Sequence, residues 1–273
     1  MHNKIDEVEF VIFDTETTGL EPESGDRIIE IAAVKLKGSQ IKGEFQSLVN
    51  PLRQISEEAL GVHHINNAML ETAPLMRDVM PDFLNFIQGA VLCAYNAPFD
   101  IGFLKREMWL LNQDFPVSIH VIDILAMARR LLPGLGRYSL LSVSESLGIK
   151  KIQEHRALSD VYLSIGVFNK LKEILKEKGI DDFLNFNTLF GLASAYIEDA
   201  RSQKLSRIQE ALELKVKLKI KYLSSHRAEV TEREVIPSCV KQENNKYYLI
   251  GYCNLRKEER IFAVDGILGL EIV

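Results

Sequence analysis

Glu9-Phe10-Val11-Ile12-Phe13-Asp14-Thr15-Glu16-Thr17-Thr18-Gly19 sets an almost continuous apolar run directly before two acids. A run of that kind is expected of a strand buried on both faces of a sheet. Side chains alternate along a strand, so Asp14 and Glu16 share one face while Thr15 points away. Two like charges side by side cost energy unless a cation or a proton neutralises them. At the carboxyl edge of a sheet, where open α/β folds bind ligands, a hard divalent cation is the natural neutraliser. Alone, the pair reads more readily as a solvated strand end with two surface acids.

Outward from this stretch, Gly19 to Asp26 is turn-like, Arg27 to Lys37 suggests a second strand, and Phe45 to Val49 a third, ended by Asn50-Pro51. Helical spacing of apolar residues appears over Ser56–Leu60, Leu75–Ile87 and Gly102–Leu111, with a central strand at Gly89–Tyr95. Asp123–Leu132 and Ser139–Leu147 read as amphipathic helices closed by Pro133-Gly134 and Gly148, and Ser159–Lys178 as a long helix stopped by Gly179. Strands followed by alternating helices and strands predict an α/β domain over residues 1–178. Asp181–Leu214 reads as helical. Four β-rich runs, Val216–Leu223, Lys246–Cys253, Arg260–Val264 and Ile267–Val273, then form a small all-β unit. The expected organisation is an α/β domain over 1–178, a helical connector over 179–204 and an all-β domain over 205–273.

Composition narrows the function classes. At 273 residues, 47% hydrophobic and 26% charged, the chain is an ordinary globular protein of one or two domains. Its longest uncharged stretch, Phe83 to Phe99, contains Asn85, Gln88, Asn96 and Pro98, and is too polar to cross a bilayer. Cys93, Cys239 and Cys253 are too few and too scattered for a disulfide framework or a structural zinc site. With no apolar signal region near Met1, a cytoplasmic protein with no membrane partner is expected. The net charge is −5, divided unevenly: residues 1–195 carry 19 Lys and Arg against 26 Asp and Glu, the remainder 14 against 12. An acidic first part can still act on nucleic acid if its carboxylates hold cations that invert the local field.

Two further motifs join the first. Asp100 ends Ala94-Tyr95-Asn96-Ala97-Pro98-Phe99-Asp100 and by itself reads as a helix N-cap. Asp160 ends His155-Arg156-Ala157-Leu158-Ser159-Asp160. Five helical steps of about 100° would put His155 and Asp160 about 140° apart, so His155 must lie in the loop or first turn to face the same site. Taken in order, D-x-E-T-T-G, N-x-P-F-D and H-R-A-x-x-D resemble the DEDDh exonucleases of the DnaQ-like, RNase H-like fold. The likeness runs over about residues 8–176 and includes Val49-Asn50-Pro51, Gly61-Val62-His63, Ala73-Pro74 and Ala128 to Leu135. It departs at Tyr95, where that family usually has His, and at His64, where it has Gly.

The resemblance implies a mixed sheet with flanking helices and a 3′–5′ exonuclease that releases 5′-nucleotides. Four carboxylates can hold two Mg²⁺ or Mn²⁺ ions about 3.5–4 Å apart. By the family pattern Asp14 bridges both ions, Glu16 and Asp160 complete one, and Asp100 helps hold the other. His155, with an ordinary pKa of about 6.5, would deprotonate the attacking water. Thr17, Leu20, His63 and Asn96 match family positions around the terminal nucleotide, and Leu20 reads equally as core.

In the last part, Ile220-x-Tyr222, Arg233-x-Val235-x-Pro237, Tyr247 to Cys253, Arg256, Arg260-Ile261-Phe262 and Asp265-Gly266-Ile267 resemble the WYL domain, a small SH3/Sm-like β-barrel. Tyr247 stands for the Trp of that name and Gly266 for a frequent Arg. The resemblance implies a basic, aromatic pocket for nucleic acid or a nucleotide-like ligand, with Arg233, Arg256 and Arg260 meeting phosphates and Tyr248 stacking. The alternative is a barrel with core tyrosines and arginines that are solvated or serve a homodimer. The whole reads as an exonuclease for single-stranded DNA, with or without a polymerase or repair partner. Its rivals are an RNA exonuclease and a non-catalytic sensor.

Overall fold

The computed structural model describes residues 4–149, 156–192 and 195–273. The opening apolar run continues through its acids, for strand β1 spans Glu9–Thr17 and carries Asp14 and Glu16 within it. Strand β2 (Ile28–Lys37) pairs antiparallel with β1, and β3 (Gln40–Leu48) with β2. Three helices follow: α1 (Glu57–His63), α2 (Asn67–Leu70) and α3 (Met76–Ile87). Strand β4 (Val91–Ala94) then lies parallel to β1, helix α4 (Ala97–Leu110) crosses back, and β5 (Val121–Asp123) lies parallel to β4. The sheet order is β3-β2-β1-β4-β5, so β1 is its central strand. Strand β5 has no signal of its own in the sequence, because its three residues run straight into α5 (Ile124–Leu131).

Two apolar layers cover this sheet. One face packs Phe13, Phe83 and Phe103 under α3 and α4. The other packs Phe10 edge-on against Phe168 and Phe186, with ring centroids 5.2 and 5.9 Å apart. Phe168 belongs to α7 (Ala157–Glu177), which follows α6 (Leu140–Ser146) and lies across β1 and β2. Phe186 belongs to α8 (Phe183–Phe190), whose Phe190 is buried in the same layer as Ile180. Residues 180–190 of the expected connector are therefore part of the first core. Two backbone bridges, Lys4 to Asp182 and Ile122 to Gly191, tie this segment down.

Helix α9 (Ala195–Leu214) leads into the second sheet and places Ile208 and Ala211 in its core. This sheet contains β6 (Leu218–Leu223), β7 (Val230–Glu243), β8 (Lys246–Cys253), β9 (Glu258–Ala263) and β10 (Ile267–Ile272). All pairs are antiparallel, in the order β10-β6-β7-β8-β9. Strand β7, the longest of them, is absent from the four β-rich runs of the sequence because it is rich in polar residues and contains a proline. Pro237 pairs with Gly251 at the edge of a register shift with β8 between Pro237 and Cys239, the kind of irregularity at which a strand proline is tolerated. The two units touch. Arg130 at the end of α5 donates from Nη2 to the Leu223 carbonyl at 2.9 Å, and Leu223 is buried against the first core.

Candidate active site

Strand β1 and helix α7 bring three of the predicted acids together. Carboxylate oxygens of Asp14, Glu16 and Asp160 all lie within 4.8 Å of one another. The first two come from alternate positions of β1, and Asp160 from the first turn of α7. Asp100 is not in this trio. Its Oδ1 accepts the Thr15 N–H at 3.0 Å and the Thr15 hydroxyl at 2.8 Å. It is also not a helix cap, since Asn96 holds the N-cap position of α4. Thr15, pointing away from its two acidic neighbours, thus locks the fourth acid to the central strand.

Electrostatics shows what the cluster lacks. Burial raises the Asp14 carboxyl well above its ordinary range, and the charges of Asp100, Glu16 and Asp160 push it further. Burial and then Asp160, Glu30 and Asp100 lift Glu16 to about 8, against which Arg156 acts in the lowering direction. Asp100 rises to about 7 through burial, partly offset by its bonds from Thr15. Converging hard oxygens that cannot comfortably ionise together are a donor set suited to divalent cations.

The remaining predicted residues sit as follows. His155 lies outside the described residues. Thr17 is buried and its hydroxyl donates to the Gly19 carbonyl at 2.6 Å, shaping the turn after β1. Leu20 is 76% exposed, which removes it from the core. His63, the last residue of α1, is buried; its Nδ1 accepts the Ile65 N–H at 3.0 Å, so its proton sits on Nε2. Burial pushes its pKa below the ordinary value. Asn96 is exposed and left-handed at φ 70°. His64 is left-handed too, at φ 59°, which gives a physical reason for the glycine usual there. Tyr95 donates its hydroxyl to the Tyr138 carbonyl at 2.7 Å.

Two buried glutamates were missed from sequence. Glu107 of α4 takes the Arg27 guanidinium in a fork, both bonds 2.7 Å, and also the Ile28 N–H. Glu30 of β2 takes Arg156 and the start of α7. The available signal was an acid inside the otherwise apolar run Ile28-Ile29-Glu30-Ile31, because a buried charge must have partners.

On the second sheet Arg233, Arg256 and Arg260 line one groove with His226 and Arg227. Arg233, Arg260 and Tyr248 line an adjoining one with Tyr222. The four residues singled out from sequence are therefore neighbours. Tyr222 also packs against the core of this sheet, as does Tyr247.

The exonuclease family profile (RNase_T) matches residues 11–168, and the chain belongs to that family. A WYL domain matches residues 203–272. Among relatives, a PolC-type DNA polymerase III of Caldanaerobacter subterraneus is 39% identical over 183 residues, 67% of this chain and 13% of that protein. A DNA polymerase III subunit epsilon-like protein of Rhodobacter capsulatus is 40% identical over 66% of this chain and 26% of its own length. This chain thus spans only a fraction of either relative. An E. coli ExoI–single-stranded DNA complex shares the fold at TM-score 0.60 and 14% identity, over 97% of this chain and 64% of that one. The exonuclease fold implies divalent metal ions, and the acid trio is the candidate cluster for them. No helix among the described residues is long and apolar enough to cross a membrane.

Proposed function

We propose that this protein is a metal-dependent 3′–5′ exonuclease that releases 5′-nucleotides from single-stranded DNA. The observation that carries this is the convergence of Asp14, Glu16 and Asp160, with Asp100 fixed beside them by Thr15. These four acids would hold two Mg²⁺ or Mn²⁺ ions, Asp100 being the fourth ligand. Bound ions of this kind stabilise the charge that builds on a phosphodiester as it is cleaved. His155 is assigned the proton of the attacking water from its motif alone. Buried His63 and Thr17, exposed Asn96 and exposed Leu20 with its apolar surface are assigned to the terminal nucleotide from the motif positions they match. DNA is favoured because the relatives matched by the first unit are named as DNA polymerase III proteins. The WYL unit, over about residues 205–273, is assigned to hold the strand or a nucleotide-like ligand through Arg233, Tyr248, Arg256 and Arg260.

The test uses matched DNA and RNA oligonucleotides labelled at the 5′ end, single-stranded and duplex, with Mg²⁺ or Mn²⁺. A ladder shortening one nucleotide at a time from the 3′ end, fastest on single-stranded DNA, is expected. Faster RNA cleavage would reassign the substrate, and no release from any 3′-hydroxyl end would leave a sensor built on a nuclease fold.

A further inference from the structure

Glu30 is wholly buried, yet its two oxygens receive four donors. Oε1 accepts from Arg156 Nη2 at 2.7 Å and Gln46 Nε2 at 3.0 Å. Oε2 accepts from Arg156 Nε at 3.0 Å and from the Ala157 backbone N–H at 3.1 Å. A buried carboxylate is tolerated only when its lone pairs are met in this way. Ala157 is the first residue of α7, where backbone N–H groups have no partner within the helix and a negative charge is favoured. One turn on, the Asp160 N–H closes onto the Arg156 carbonyl at 3.0 Å. Glu30 is also the register partner of Glu16 across β1 and β2. The contacts therefore join the strand position of one acid to the helix start that carries another.

Docking of α7 does not call for such a charged pair. Val161, Leu163, Val167, Phe168, Leu171 and Leu175 already bury the helix along its length. The other ion pairs of α7 with the rest of the chain, Lys172 and Lys176 with the exposed Asp6, lie at its far end, whereas the pair with a fully buried carboxylate stands at the end where Asp160 projects.

We propose that Glu30 and Arg156 form a positioning clamp that holds the start of α7, and so Asp160, where it can share a divalent cation with Asp14 and Glu16. This rests on the reading of the trio as a metal site. The clamp can be told from a charge effect because its two members have opposite sign. Removing the Glu30 charge weakens cation binding under either account. Removing the Arg156 charge tightens binding if only the field matters, and weakens it if position matters.

The experiment measures free Mn²⁺ by electron paramagnetic resonance during titration of the metal-stripped full chain. The proteins are wild type, Asp14→Asn, Glu30→Gln, Arg156→Gln and Arg156→Lys. Partners behind metal ligands typically contribute about 10- to 100-fold in affinity, and a loss of that order is expected for both Glu30→Gln and Arg156→Gln, with Arg156→Lys between them and wild type. Unchanged or tighter binding by Arg156→Gln overturns the clamp alone. Failure of wild type to bind Mn²⁺, or wild-type binding by Asp14→Asn, overturns the metal site and the clamp with it. Should Glu30→Gln not fold, the Arg156 variants still decide, since that side chain is 38% exposed.

Discussion

Asp14, Glu16 and Asp100 each carry a stability cost that depends on pH. Glu16 is raised from 4.5 to about 8 and Asp100 from 3.8 to about 7, so the folded protein without metal binds these protons more tightly than the unfolded chain. Stability is then fullest below the unfolded values and is lost as pH rises through the folded ones. Glu30 opposes the pattern: burial would raise it, but bonds from Arg156, Gln46 and Ala157 outweigh that and hold it below its ordinary value. Its contribution is lost only on acidification below that window. Melting curves in chelator should therefore fall between about pH 4 and pH 8, and Mn²⁺ should restore most of the loss at pH 8. A flat profile in chelator would mean that the carboxylates are not crowded. Asp100→Asn sharpens the test. The amide keeps an oxygen for Thr15 while removing the charge, so in chelator the variant should melt above wild type at pH 8, and the gap should close as pH falls to about 4, near the unfolded value. A lower melting point at both values would make Asp100 a structural acceptor for Thr15 and nothing more. Activity should be almost abolished in the variant if Asp100 is the fourth ligand.

At the scale of elements, the boundary of the nuclease unit is the main revision. Cutting after residue 178 removes Ile180, Phe186 and Phe190 from the layer around Phe10. Truncating one buried Phe costs about 3–5 kcal/mol, and a whole domain has only about 5–15 kcal/mol to lose. Residues 1–178 should therefore be insoluble or unfolded, whereas 1–192 should give a cooperative melt by circular dichroism and cleave trinucleotides. Equal melting of the two fragments would show α8 to be a tether. What the sequence makes legible follows the same division. Asp14 and Glu16 are two apart on a strand with a strong apolar signal, and Asp160 opens a helix with a clear stop, so local periodicity places each on its element, while their reading as one site comes from the three-motif resemblance. Helix α8 is legible as a helix but not as core, because its phenylalanines pack against Phe10 and Phe168, far away in sequence. The buried pairs Glu30–Arg156 and Arg27–Glu107 lie 126 and 80 residues apart, and no local pattern announces them. Strand β7 is hidden for the opposite reason: its local text, polar and interrupted by Pro237, suits a solvated strand with a bulge as well as it suits a loop.

For the whole molecule the question is how the arginine groove is placed relative to the acid trio. Arg130 supplies a fixed joint, donating to the last carbonyl of β6, directly before Ser224, His226 and Arg227 of the groove. Gly266 leaves the room it needs. A Cβ there would stand 2.8 Å from Arg130 Nη2 and 2.7 Å from the Tyr222 ring, so one of them would have to move. The seat belongs to the glycine. If the groove holds phosphates of the same strand whose 3′ end enters the site, the joint sets the effective concentration of one site for the other. Gly266→Ala should then leave cleavage of trinucleotides unchanged while weakening binding of long single strands several-fold. Neutralising Arg233, Arg256 and Arg260 together should weaken long strands too, and flatten the dependence of their affinity on salt. Each phosphate deprived of its arginine takes about 0.7 from the slope of log K against log salt on a single strand. The two variants separate joint from groove, for Gly266→Ala keeps the arginines. Equal losses on short and long substrates for Gly266→Ala would mean damage transmitted into the nuclease core through α5. An unchanged salt slope in the triple variant would remove the groove from the path of the strand and leave it to another anionic ligand.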